Sequence, residues 1–200
     1  MGKMSRLWHS IRLFLARGSR KKKAYADRHG LFAYYGTNVV FQPHTLPLYS
    51  KLISIHDNVV VGRGVELVTH DVIHRVFNPS PLCEEGFGER IGCIEIMDNS
   101  FVGNGAIVMY GVRIAENNII AAGSVVTRST EPNSIYAGVP ARKIGVFSES
   151  AAKRLSLEKR GLVPTVSRNQ NISEAEVGKA WELFNSSNAT SANGKGTGRK

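Results

Sequence analysis

The side chains best suited to chemistry are the two imidazoles of the stretch Thr69, His70, Asp71, Val72, Ile73, His74. Imidazole, with an unperturbed pKa of about 6.5, takes a proton from a hydroxyl near neutral pH. Asp71 adjoins His70, but neighbours on a strand face opposite ways, so adjacency does not make its carboxylate the group that orients the ring. His74 is a second candidate base or a contact to the proton donor. The residues alone leave His70 two roles, a general base or a histidine that ends a strand and bonds a backbone carbonyl. Cys83 and Cys93 lie in or beside the same stretch. Neither sits in a Cys/His signature, which favours direct transfer over a covalent intermediate, and no paired motif marks a zinc site. His9, His29, His44 and His56 are expected to be structural or solvated.

What must position these groups is a six-residue repeat. From Ile96 to Glu131 six successive windows open on a β-branched aliphatic: Ile96, Val102, Val108, Ile114, Ile120 and Val126. Their fifth places hold mostly small or compact residues, Ser100, Ala106, Val112, Asn118, Ser124 and Thr130. A second block upstream repeats the pattern from Ile55, Val61 and Leu67. A period of six suits no amphipathic helix, and it is three times the strand period of two. Each window is a short strand plus a corner, and three windows make one turn of a triangular coil. The first-place aliphatics point inward, and Gly62, Gly103, Gly105, Gly111 and Gly123 are expected to make tight corners with positive φ. One coil buries little, so coils must stack edge to edge as a parallel β-helix. Leu67 to Ile96 is 29 residues, which six does not divide, so a loop over about 71–94 is extruded. It carries Pro79, Pro81, Gly86, Gly88 and the acids Glu84, Glu85 and Glu89. A loop of that length at the root of which His70, Asp71 and His74 sit is expected to be functional.

The net charge of +10 is unevenly spread: +8 over residues 1–30, −2 over 31–147 and +4 over 148–200. Leu7, Trp8, Ile11, Phe14 and Leu15 fall on one helical side, beside Arg6, Arg12 and Arg17, with Arg20 to Lys23 following. Such a basic amphipathic segment suits peripheral contact with an anionic membrane through residues 1–23, or packing on the coil as an amino-terminal cap. No aromatic-interleaved patch or binding fold argues for nucleic acid. Beyond Phe147 the repeat stops. Residues 148–184 form a helical extension, with a polar helix from Ser148 to Arg160 and a capping box, Ser173 to Glu176, opening a helix through Val177, Trp181 and Phe184. Residues 185–200, rich in Ser, Asn, Gly and Lys, are expected to be a disordered tail. No apolar stretch approaches the roughly eighteen residues of a membrane span. Two cysteines are too few for a disulfide framework and fit a reducing cytoplasm.

The run from Ile114 to Arg128, followed by Pro132 to Ile144 with its Gly138, Val139, Pro140, Ala141, Arg142 step, resembles the carboxy-terminal signature of hexapeptide-repeat acyltransferases. With Thr69 to Asp71 the resemblance covers about residues 30–147. Lys23 to Gly30 and the early Thr, His, Asp step are similar to the branch that O-acetylates capsular or lipopolysaccharide sugars. The resemblance implies an all-β, left-handed parallel β-helix with the extruded loop and short flanking helices. It also implies a homotrimer with each active site in a cleft between two prisms, and acetyl-CoA as co-substrate with no metal. In that reading the protein is an acetyl-CoA-dependent O-acetyltransferase acting on a hydroxyl of a sugar or glycan acceptor, and His70 matches the catalytic histidine. Asn104, after Gly103, matches the position whose amide meets the thioester oxyanion. Ala122, Thr127 and Arg128 match neighbours of pantetheine and phosphate, and Arg142 is placed for the nucleotide phosphates. An N-acetyltransferase of an amino-sugar nucleotide would use the same base and coil. A zinc hydratase would need a third histidine beside His70 and His74, and a catalytically silent scaffold would keep only the hexads.

Overall fold

The computed structural model describes residues 2–16, 18–81, 83, 86–166 and 171–193. Arg17, the loop acids Glu84 and Glu85, and residues 194–200 of the expected tail lie outside the described residues. By its contacts the chain divides into residues 1–147 and 148–200.

In the first unit the repeat becomes three parallel walls. One holds Tyr34–Tyr35, Ile53–Ile55, Ile94–Ile96 and Val112–Ile114, and another holds Glu66–Leu67, Ile107–Val108 and Val125–Val126. The remaining wall runs Val40–Phe41, Val60–Val61, Phe101–Val102, Asn118–Ile120 and Ser134–Ala137, closed by an antiparallel strand, Arg142–Val146. The register aligns the inward residues in columns: Ile55, Ile96 and Ile114; Val61, Val102 and Ile120; Leu67, Val108 and Val126. All six first-place aliphatics from Ile96 to Val126 are at most 1% exposed, so the period of six is a burial period. Ser100, Ala106, Val112, Asn118 and Ser124 at the fifth places are buried with them.

One turn is 18 residues, from Ile96 to Ile114, whereas Ile55 and Ile96 are register partners 41 residues apart, so 23 residues leave the wall. They are not a plain loop. The chain departs as His70–Asp71 and returns as Arg90–Ile91, an antiparallel pair, with the short helix α3 (His74–Phe77) between, numbered after two amino-terminal helices.

The corners correct one expectation. Gly105, Gly111 and Gly123 do have positive φ, but Gly62 and Gly103 do not. A Cβ on Gly103 would lie 2.5 Å from the Ala122 amide nitrogen, and one on Gly62 would lie 2.4 Å from Asn104 Oδ1, so glycine there admits the neighbouring coil. Another corner uses asparagine in the left-handed region at Asn38, Asn58 and Asn99, whose side-chain amides are stacked by hydrogen bonds of 2.9 and 3.2 Å.

The chain is also not all-β. Helices α1 (Lys3–Leu15) and α2 (Ser19–His29) precede the coils. Leu13 and Ala26 join the core, and Ser10 Oγ accepts the Leu46 amide at 2.8 Å. Lys22 and Lys23 donate to the Phe41 and Tyr35 carbonyls, so half of the basic run caps the first coil. The face of α1 that packs is therefore Ser10 and Leu13, while Leu7, Trp8, Ile11, Phe14 and Leu15 stay exposed. In the second unit, α4 (Phe147–Lys159) and α5 (Glu174–Asn193) are helical. Ser173 and Glu176 exchange the reciprocal bonds of a capping box, and the helix they start runs to Asn193 through residues expected to be disordered. Within it the Trp181 and Phe184 rings meet edge to face at 5.6 Å, and Asn188 Nδ2 donates to the Phe184 carbonyl, local contacts that composition alone does not count.

Candidate active site

Thr69 anchors the break in the coil. It is 1% exposed, its hydroxyl donates to the Leu48 carbonyl, and its own carbonyl accepts the Gly92 amide at 2.9 Å. One residue on, His70 is held between two groups. The Tyr49 ring meets it edge to face at 5.4 Å and 84°, and Glu89 Oε1 lies 4.0 Å from Nε2. That distance is an ion-pair spacing and too long for a hydrogen bond. His70 Nδ1 is enclosed and, among the described residues, unpartnered. A hydrogen bond to Glu89, then its charge, raises the Tyr49 phenol above its ordinary pKa, so Tyr49, Glu89 and His70 form one cluster.

Asp71 works elsewhere. Tyr110 Oη donates to its Oδ2 at 2.5 Å and the Ile73 amide to its Oδ1 at 3.0 Å. The Tyr110 hydroxyl first, then the Ile73 amide, hold its carboxyl below the ordinary range, with help from the charges of Arg90 and His74. Arg90 in turn sits 5.1 Å over the Tyr110 ring. The structure thus gives Glu89 to His70 and Tyr110 to Asp71, as expected of strand neighbours that face opposite ways. His74, at the start of α3, keeps an enclosed and unpartnered Nδ1 among the described residues. No three His, Cys, Asp or Glu side chains converge as metal ligands among the described residues.

Asn104 and Ala122 occupy one column of corners, a coil apart, as the pairing of Ile107 with Val125 requires. Asn104 Oδ1 accepts the Arg63 amide at 2.9 Å, and its carbonyl accepts the Gly123 amide at 2.9 Å. The flanking amides of Gly103 and Gly105 are spent on Ile120 and Arg63 carbonyls, whereas the Asn104 amide donates to no protein group among the described residues. This corner precedes the wall of Glu66–Leu67 and Ile107–Val108; Thr69 and His70 follow that wall. At about 3.3 Å per residue, Asn104 and His70 of one chain are on the order of 15–20 Å apart. Thr127 and Arg128 follow Val126 on the His70 side and are exposed. Arg142 begins the closing strand, exposed, with Nη1 on the Ala141 carbonyl at 3.0 Å.

Residues 94–128 match the family model described as bacterial transferase hexapeptide (six repeats). A Schizosaccharomyces pombe protein, named a candidate acetyltransferase, is 35% identical over 117 residues, 55% of this chain and 54% of its own. The galactoside O-acetyltransferase of Escherichia coli K12 is 35% identical over 94 residues, 46% and 43% of the two chains. A hexapeptide-repeat acetyltransferase of Vibrio cholerae, solved with acetyl coenzyme A, shares the fold at a TM-score of 0.52 and 19% identity, over 72% of this chain and 86% of that one. The chain spans about half the length of the curated relatives it matches. Residues 94–128 thus carry the hexapeptide repeat of the matched family model, and the stacked coils share the fold of a hexapeptide-repeat acetyltransferase.

Because the Tyr110 bond is the largest cause of Asp71's low pKa, Tyr110→Phe should raise that pKa toward the ordinary value of about 3.9. Asp71's contribution to stability is present above its unfolded pKa and is lost as pH falls through the folded one, so the variant should lose it at higher pH. A carboxyl-carbon NMR titration that finds Asp71 unmoved would show that Tyr110 does not hold it.

Proposed function

We propose that this protein transfers an acetyl group from acetyl-CoA to a hydroxyl of a sugar or glycan acceptor, in one ternary complex, with His70 as general base. The observation that carries the reading is the caged ring. Tyr49 meets it edge to face, and the Glu89 carboxylate lies 4.0 Å from its Nε2. His70 takes the acceptor's hydroxyl proton as that oxygen attacks the thioester carbonyl. When the carbon to sulfur bond breaks, His70 returns the proton to the departing thiolate. Atoms and charge balance with no further reagent.

The oxyanion formed meanwhile needs a fixed donor, and the unspent Asn104 amide suits that role. Since the wall separates it from His70 in one chain, the reading assigns the two groups to neighbouring protomers of a homotrimer. The prism is then left-handed, and Ala122, Thr127, Arg128 and Arg142 run along the donor's pantetheine and phosphates. Asp71 and His74 shape the loop that faces the acceptor. We place the protein in the cytoplasm, with α1 making peripheral membrane contact through its exposed Leu7, Trp8 and Ile11 amid Lys3, Arg6 and Arg12.

His70→Ala should lower acetyl transfer, followed by thiol release, by about 10²–10⁴-fold while leaving the β-rich circular dichroism intact. Undiminished turnover removes His70 from the mechanism. Light scattering should give three times the 21.9 kDa chain mass, and a monomer that is fully active contradicts the shared site. Trp8→Glu should abolish sedimentation with anionic vesicles; unchanged sedimentation excludes α1 from membrane contact.

A further inference from the structure

Two adjoining clefts flank α1. The inner one, of about 560 Å³, is floored by Leu31, Leu48 and Leu52, and the outer one, of about 540 Å³, by Leu46, Pro47 and Leu48. They share Arg6 and Leu48, which makes them one groove. Its outer end opens between Met4 and Leu7 on the exposed apolar face of α1. Its inner end is bounded by Tyr49 and Ile91, the first of which meets His70 edge to face while the second is the strand partner of His70. The groove therefore runs from an apolar outer surface to the proposed base.

Its charge is one-sided. Lys3, Arg6, His29 and Lys51 line it, the first three from the basic residues 1–30, and no Asp or Glu does among the described residues. An apolar floor with a cationic rim selects an occupant with a hydrocarbon part and an anionic part. A neutral free sugar would leave the half-buried Leu48 and Leu52 wetted and the cations unmatched. A guanidinium with an ammonium nearby matches a phosphate, which offers several strong acceptor oxygens.

We infer that this groove holds the acceptor as a lipid-linked sugar phosphate, with the hydrocarbon chain along Pro47, Leu48 and Leu52, the phosphate at Arg6 and Lys51, and the sugar presented to His70. The inference rests on the acetyl-transfer reading for the sugar's place, but the groove's ligand chemistry is measurable without turnover.

The probe is octyl phosphate below its micelle concentration, titrated calorimetrically into the full chain, with octanol and inorganic phosphate as controls. Octyl phosphate should bind at one site per chain, at least about tenfold tighter than either control. Arg6→Glu should weaken it about tenfold or more, and so should Lys51→Glu, which lies on a different element and serves if Arg6→Glu perturbs α1. His70→Ala should leave binding unchanged. Octyl phosphate binding no tighter than octanol, or no tighter than inorganic phosphate, overturns the proposal, as does insensitivity to both charge reversals. Those results leave the effect of His70→Ala on thiol release untouched, so the groove and the acetyl transfer stand or fall separately.

Discussion

The backbone ladder between successive coils is the constraint on which everything else depends. Each wall strand is two to five residues long and could not persist alone, so its amides must reach carbonyls a whole turn away: Val60 to Ser100, Gly103 to Ile120, Met109 to Val126. In the uninterrupted coils that requirement is met by an 18-residue step, and the step stacks Ile96 on Ile114 and Val102 on Ile120 in columns shielded from water. β-branched side chains suit this because their stiff χ1 packs well on a pleated surface. Any side chain on Gly103 would push the next coil away, so even the residues without side chains serve the ladder.

A frame this regular holds chemistry only where it is interrupted or where it leaves a backbone group unspent. The interruption after Leu67 is pinned on both sides, by Thr69 to Leu48 and by Gly92 to Thr69, so the ring of His70 is carried by backbone that cannot drift. The returning strand brings Glu89 back to it. The unspent group is the Asn104 amide, across a wall from the imidazole, and this separation is why an assembly of copies is part of the functional account. The two carboxylates near the break have divided roles: Glu89 lies beside an imidazole, and Asp71 is locked to a phenol and an amide.

How much of this was legible depends on whether the signal was local. The hexads announced the walls because each inward place holds a β-branched residue, and the broken phase from Leu67 to Ile96 announced the extrusion. The first coil was harder: Tyr35 and Phe41 stand 20 residues before Ile55 and Val61, off the 18-residue step, and neither is a small aliphatic. Glu89 is 19 positions from His70, and only the antiparallel pairing of His70 with Ile91 makes them neighbours. Tyr49 arrives from the segment just before the wall strand Ile53–Ile55, and no spacing rule points to it. The apolar side of α1 was visible as a stripe, but which side would pack turned on Ser10 and Leu13, because Ser10 has a partner in the Leu46 amide.

Native-state hydrogen exchange tests the ladder most directly. The amides of Val60, Gly62, Val68, Gly103 and Met109, which bond from coil to coil, should exchange slowly and with similar free energies, as one cooperative unit. Amides in the extruded segment should exchange orders of magnitude faster, apart from Gly92, which is bonded to Thr69. Fast, uncorrelated exchange at those five coil amides, or protection spread evenly across the extruded segment, would contradict the stacked-coil account and the placement of His70 that follows from it.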